Sequence, residues 1–213
     1  MEQTSKKSLK SFLHKLYSMS GKVKKVAASK LPTQYGVFDM FVYRSDSGSE
    51  HVALTKGKPK NGSLVRLHSK CLTGDTFTSL RCDCRKQLES SLKMIEKATD
   101  GILLYLDQEG RSIGLVNKIK AYALQDEGHD TVEANHMLGL PADARNYKDA
   151  ASILKELRIK KIRLVTNNPD KENQLIKYGI SILKRIPIVT KPHKSNKKYL
   201  STKRQKLGHK LKG

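Results

Sequence analysis

All three cysteines of this chain fall within one stretch, KCLTGDTFTSLRCDCRK, at Cys71, Cys82 and Cys84. An isolated cysteine usually behaves as a small buried hydrophobe. Three within fourteen positions read instead as ligands to a soft cation. Asp83 separates two of them, with Arg81 and Arg85 alongside, a composition unsuited to a packed interior. Zinc takes thiolate and imidazole donors in a tetrahedron, and three protein thiolates leave the fourth position to water, as a catalytic site requires. A fourth ligand from His68, three residues before Cys71, would close the site into a structural one. Spacing leaves both arrangements open. Water on an open zinc ionises far more readily than bulk water and gives a nucleophile near neutral pH.

The elements that must position these groups alternate in period. GVFDMFVYR carries Phe38, Met40 and Val42 on one face, as a strand does, and HVALTKG and SLVRLHS are further short strands with KPKNGS as the turn between them. RKQLESSLKMIEKATDG sets Leu88, Leu92 and Ile95 in helical register with Gly101 just past the end. GILLYL is a buried strand, GLVNKIKAYALQDEG a helix stopped by Gly128, DAASILKEL a helix, KIRLVT a strand, NPDKENQLIKYG a helix and ISILKRIPIV a last strand. Strands alternating with helices predict an α/β fold, a mixed β-sheet flanked by helices. SLKSFLHKLY, with Leu9, Phe12, Leu13 and Leu16 in register, predicts a short basic N-terminal helix, and ASKLPTQYG reads as a linker and turn. The division expected is a basic extension over 1–30, a catalytic domain over 31–190 and a basic tail over 191–213.

The formal charge is +22, and it is uneven: Glu2 is the only acid in the first thirty residues, and none follows Lys184. Basic ends suit contact with a polyanion through phosphate neutralisation. They hold few aromatics or arginines with which to read bases, so a solvated lysine-rich surface is favoured over a nucleic-acid interface. Hydrophobic residues make up 37% of the chain, and no run approaches the roughly 18 apolar positions of a membrane span. An odd cysteine count without a secretory segment at the start argues against a disulfide framework, and a reducing cytoplasm is the expected location.

Taken together, RLHSKCLTGDTFTSLRCDC, QEGRSIGL, NKIKAYALQDEGHDTVEAN and TNNPDK resemble bacterial GTP cyclohydrolase II, the first enzyme of riboflavin biosynthesis, from about Leu31 to near His209. The resemblance implies a zinc enzyme, assisted by Mg²⁺, that converts GTP to a diaminopyrimidine ribosyl phosphate, formate and pyrophosphate, and a homodimer. It implies Cys71, Cys82 and Cys84 as the zinc ligands. It implies Asp143 as a proton acceptor, Arg145 as a nucleophile toward the α-phosphorus, and Tyr122 as a third catalytic residue. A guanidinium is protonated at any physiological pH, so a clamp on transition-state phosphate charge is the easier role for Arg145. Nucleotide contacts are implied at Arg66, Leu67, His68, Ser69, Lys70, Gln87, Glu109, Gly110, Arg111, Thr131, Thr166 and Lys171. Arg66, Arg111 and Lys171 can neutralise a triphosphate. TNNPDK follows a strand and opens a helix with Pro169 near its first position, which points backbone N–H groups at an anion. Glu109 offers a carboxylate to the N1–H and N2–H₂ edge of guanine.

The chain departs from the family pattern where Lys70 stands for Glu, Asp107 for Arg and Arg85 for Gly, and where DARN replaces DERD, which puts Ala144 and Asn146 in place of acids. Lys70 and Asp107 can compensate each other as a swapped ion pair. These changes leave room for a divergent paralogue acting on another nucleotide.

Overall fold

The computed structural model describes residues 23–188, so the predicted N-terminal helix and the basic tail over 191–213 lie outside the described residues. Within them, the chain forms a seven-stranded mixed sheet in the order β1-β2-β3-β5-β4-β6-β7. The strands are β1 Lys24–Thr33, β2 Gly36–Arg44, β3 Glu50–Lys56, β4 Leu64–Ser69, β5 Gly101–Leu106, β6 Lys161–Val165 and β7 Ser181–Ile186. The first three form an antiparallel meander that pairs onto β5, whereas β5, β4, β6 and β7 run parallel. The expected mixed sheet flanked by helices is therefore present.

The longer α-helices among the described residues are α1 Cys84–Ala98, α2 Gly114–Asp126, α3 Thr131–Met137, α4 Lys148–Glu156 and α5 Pro169–Lys177, with a single kinked turn at Glu109–Ser112. Alternation along the strands builds a core on each face of the sheet. Val65 and Leu67 of β4 join Ile102, Leu104 and Leu106 of β5, Ile153 and Leu154 of α4 and Leu175 of α5 on one side. On the other, Leu64 and Leu103 pack with Leu92 and Ile95 of α1. Arg66 and His68 occupy the β4 positions alternate to Val65 and Leu67 and are buried too, at 4% and 3% exposure. Two buried cationic or titratable residues on a central strand need partners, and those partners form the site.

Two expectations are corrected. The segment read as a linker is strand β1, paired to β2 from Lys24↔Arg44 through Thr33↔Gly36. Its residues are almost all exposed because it is the sheet edge, where Pro32 costs no ladder bond and Lys24, Lys25 and Lys30 discourage further pairing. The last strand stops at Ile186, because Pro187 has no N–H to continue the ladder. Among the described residues no helix is long and apolar enough to cross a membrane.

Candidate active site

Strands β4, β5 and β6 run parallel, so their carboxyl ends reach the same edge of the sheet. Each continues directly into chemistry: β4 into Lys70 and Cys71, β5 into Gln108 and Glu109, and β6 into Thr166, Asn167 and Asn168. In open α/β sheets the crevice outside these ends is where ligands bind. Here it is a cleft of about 1030 Å³, its open mouth included, lined by the three cysteines and by Arg66, Arg145 and Lys171.

The three-thiol group is built locally. After Cys71 the backbone makes a π-helical turn, Leu72–Thr76, and α1 begins at Cys84. The three sulfurs lie within 4.8 Å of one another. Cys71 Sγ and Cys82 Sγ are 3.8 Å apart, and a tetrahedral zinc with bonds of about 2.3 Å holds its sulfurs roughly 3.8 Å apart. The turn passes so close that a Cβ on Gly74 would lie 2.6 Å from Cys82 Sγ and 3.1 Å from Cys71 Sγ. Donor type, spacing and this cradle all fit a thiophilic divalent ion. His68 is turned away from the sulfurs: its Nε2 meets the Asp75 carboxylate at 3.0 and 3.1 Å. Asp75 also accepts from the Cys71 N–H at 3.0 Å and the Tyr105 hydroxyl at 2.9 Å. Among the described residues the candidate ligand group is thus the three thiols alone, the open arrangement rather than the closed one.

The charges around the sulfurs are ordered. Cys71 is the thiol that ionises first: it is held low by hydrogen bonds from Cys82 and Cys84 and by the Lys118 ammonium, against burial. The same sharing pushes Cys82 up to about 11 and Cys84 well up. Lys118 of α2 reaches Cys71 Sγ at 3.2 Å and Glu109 Oε1 at 2.8 Å. Glu109 Oε2 accepts from the Leu72 N–H at 2.6 Å, and Oε1 accepts from Gly110 N–H at 3.0 Å. Gly110 and Arg111 turn left-handed, at φ 60° and 62°. Tyr122, one turn beyond Lys118, places its hydroxyl 3.4 Å from Thr73 Oγ1, which is itself 3.7 Å from Cys71 Sγ. Burial raises the Tyr122 phenol to about 12, so at neutral pH it carries its proton.

The cleft is also lined by cations. Arg66 donates to the Val165 carbonyl at 3.1 Å and to Gln87 Oε1 at 2.6 Å, and Gln87 in turn donates to Asp83 at 2.6 Å. Burial lowers the Arg66 guanidinium to about 10, which still leaves it charged at neutral pH. Arg145 grips Asp143 in a bidentate pair, with Nε 2.9 Å from Oδ1 and a second, short bond from NH2 to Oδ2. Burial would raise the Asp143 carboxyl, but the hydrogen bond and charge of Arg145 outweigh it and hold it below its ordinary 3.8. Lys171 donates to the Leu67 carbonyl at 2.8 Å. Both cations lie over the buried Tyr147 ring, Arg145 at 5.9 Å and Lys171 at 5.6 Å from its centroid. Asn168 caps α5, accepting from Asp170 N–H at 2.9 Å, with Pro169 at the first position as the sequence predicts.

Most residues singled out from the sequence line this one cleft: Arg66, His68, Ser69, Lys70, the three cysteines, Gln87, Glu109, Gly110, Arg111, Tyr122, Thr131, Arg145, Thr166 and Lys171. Leu67 and Asp143 do not. Leu67 has its side chain in the core and offers only its carbonyl, and Asp143 sits behind Arg145. Lys70 and Asp107 do pair, at 3.1 Å. Arg85 points along α1 to Glu89 at 2.9 Å and to the Asp75 carbonyl at 3.2 Å, so its bulk does not enter the cleft. Sequence reasoning missed Gln108, Lys118 and Asn135, which also line it. Gln108 links Ser69, at 2.9 Å, to the Asn146 carbonyl, at 2.6 Å, so it fastens the β4 and β5 ends to the Arg145 loop.

Comparison with known proteins agrees with this geometry. A GTP cyclohydrolase-2 from Acinetobacter baumannii (strain SDF) is 50% identical over 188 residues, which are 86% of this chain and 94% of that one. A riboflavin biosynthesis protein RibBA from Aquifex aeolicus is 52% identical over 191 residues, 88% of this chain and 47% of that protein. A family model described as GTP cyclohydrolase II matches residues 24–187, which takes in strands β1 to β7 and every residue of the cleft. The chain belongs to the GTP cyclohydrolase II family.

Proposed function

We propose that this chain hydrolyses GTP to 2,5-diamino-6-(5-phosphoribosylamino)pyrimidin-4(3H)-one, formate and pyrophosphate, the opening step of riboflavin biosynthesis. The observation that carries this reading is one cleft lined both by a three-thiol group and by the cations Arg66, Arg111, Arg145 and Lys171. A guanosine triphosphate needs both: hydrolysis at C8 of the base, and cleavage between the α- and β-phosphates.

Cys71, Cys82 and Cys84 would hold zinc, which when bound supplies Lewis acidity and a readily ionised water. Tyr122, protonated and tied through Thr73 to Cys71, serves as a hydrogen-bond donor beside the reacting ring. Arg145 stays charged in its pair with Asp143 and acts as a clamp on the phosphate undergoing substitution; Asp143 sets its orientation. Arg66, Arg111 and Lys171 neutralise the remaining phosphate charge, which Mg²⁺ shares, while His68, Ser69, Lys70, Gln87, Gly110, Thr131 and Thr166 shape the cleft around the nucleotide. We place the enzyme in the cytoplasm as a homodimer, with a catalytic unit that ends near residue 190 and a basic tail beyond it.

The test is incubation of zinc-loaded protein with GTP and Mg²⁺, with formate and pyrophosphate quantified together. Equal release supports the full reaction. Pyrophosphate without formate would show that hydrolysis of the base is altered, as in a paralogue with a partial reaction. Neither product from folded, zinc-loaded protein would refute the assignment.

A further inference from the structure

Lys118 has no role in the steps above, yet it is 8% exposed and lines the cleft. Its ammonium bridges Cys71 Sγ at 3.2 Å and Glu109 Oε1 at 2.8 Å. Glu109 is equally enclosed, at 9% exposure. Its carboxylate already accepts from Lys118, from Gly110 N–H and, at 2.6 Å, from the N–H of Leu72, the residue directly after the first thiol. A carboxylate has about four acceptor directions, and three are used within the protein. A Cβ on Gly110 would lie 3.1 Å from Lys118 Cβ, so the glycine lets the loop after β5 press against α2.

We propose that Lys118 and Glu109 are positioning residues for the metal: Lys118 donates to the Cys71 thiolate, and Glu109 anchors both Lys118 and the backbone that follows Cys71. This role stands beside the nucleotide contact expected of Glu109 from the sequence, for which one acceptor direction remains. This rests on the reading of the three cysteines as a metal site. Three thiolates and a divalent ion sum to one negative charge, in a place largely removed from water. A hydrogen bond from an ammonium offsets that charge and favours the thiolate form of Cys71 that a metal binds, the kind of outer contact that tunes a metal site. Of the three sulfurs, Cys71 is the one that the Lys118 ammonium meets. The three sulfurs are therefore not equivalent.

The test uses the full chain loaded with Co²⁺ to read the thiolate-to-metal charge-transfer band, and zinc affinity from competition with a chromophoric chelator. Lys118→Met is expected to weaken zinc binding roughly 10- to 100-fold and to move the band to lower energy, since the sulfur lone pair loses its hydrogen bond. Glu109→Gln gives a smaller loss of the same sign. Lys118→Met alone strands a buried carboxylate and can unfold the loop. The double variant Lys118→Met/Glu109→Gln is uncharged and keeps an acceptor for Leu72, so it carries the decision. In that variant, an unmoved band and zinc affinity within about twofold of the parent overturn the proposal, and a raised KM for GTP beside them assigns the Lys118–Glu109 pair to the substrate. A parent protein that takes up no cobalt overturns the metal reading itself, a failure distinct from that of Lys118.

Discussion

Replacing Gly74 with alanine isolates the steric requirement of the sulfur cluster. Gly74 is not among the glycines with left-handed φ, so alanine meets no backbone strain there and the substitution probes space alone. The added Cβ would lie 2.6 Å from Cys82 Sγ, 3.0 Å from Cys84 Cβ and 3.1 Å from Cys71 Sγ. Non-bonded carbon contacts settle near 3.5–4.0 Å, so the turn or the cysteines must yield by about 1 Å. Metal–ligand distances tolerate about 0.2 Å. The thiols cannot absorb the shift and still meet one ion. Overpacking of this kind costs about 1–3 kcal/mol, which at about 1.4 kcal/mol per decade is roughly a 5- to 150-fold loss of zinc affinity if the strain falls on the metal-bound form. Chelator competition measures that loss, and thermal unfolding with and without zinc shows whether the strain also reaches the metal-free fold. A Gly74→Ala protein with parental zinc affinity and midpoint would refute the reasoning, because it would show that the turn relaxes without moving the sulfurs.

Other outcomes follow from the same geometry. Cys82→Ser is expected to lose zinc and formate release together; formate production by a metal-free variant would remove the thiols from the chemistry. Arg145→Ala should lower kcat by about 10²–10³, the usual cost of losing one charge-stabilising donor, with zinc stoichiometry unchanged, since Arg145 lies on a different loop from the cysteines; parallel loss of zinc would make its role structural. The Asp143 carboxyl is held below 3.8 by Arg145, so its contribution to stability is complete above 3.8 and is lost as pH falls through the lower folded value. Asp143→Asn should therefore be less stable than the parent in chemical unfolding at pH 5–7, with the two curves converging below pH 3.8. A gap that widens in acid would contradict the pairing.

Much of this was legible from residue order, for identifiable reasons. Cysteine spacing marked the three-thiol group because its members come from one continuous stretch, and Pro169 marked the start of α5 because proline at a first helical position has a fixed geometry. The first strand was not legible: Lys24–Thr33 has neither alternation nor burial, since an edge strand is specified by its neighbour's ladder rather than by its own side chains. Helix α3 had a signal that was passed over, Asp130 and Glu133 in a capping box. Lys118 carried none. A lysine in an amphipathic helix reads as solvent-facing, and only the left-handed turn at Gly110 and Arg111 brings Glu109 and Cys71 to it. The constraint on Gly74 is contact with sulfur, which residue order does not carry.

The position of β4 between β5 and β6 has a consequence for the order of assembly. The three thiols lie within one short segment, so bringing them together closes only a small loop and is cheap in chain entropy. The supports of that segment are remote: Arg66 waits for the Val165 carbonyl, 99 positions further along, and Cys71 for Lys118, 47 positions further. A chain emerging from its N-terminus can therefore gather its thiols well before β6 arrives to cover a buried guanidinium. An ion captured at that stage would nucleate the β4–α1 unit, and the cationic wall of the cleft would be the last part completed.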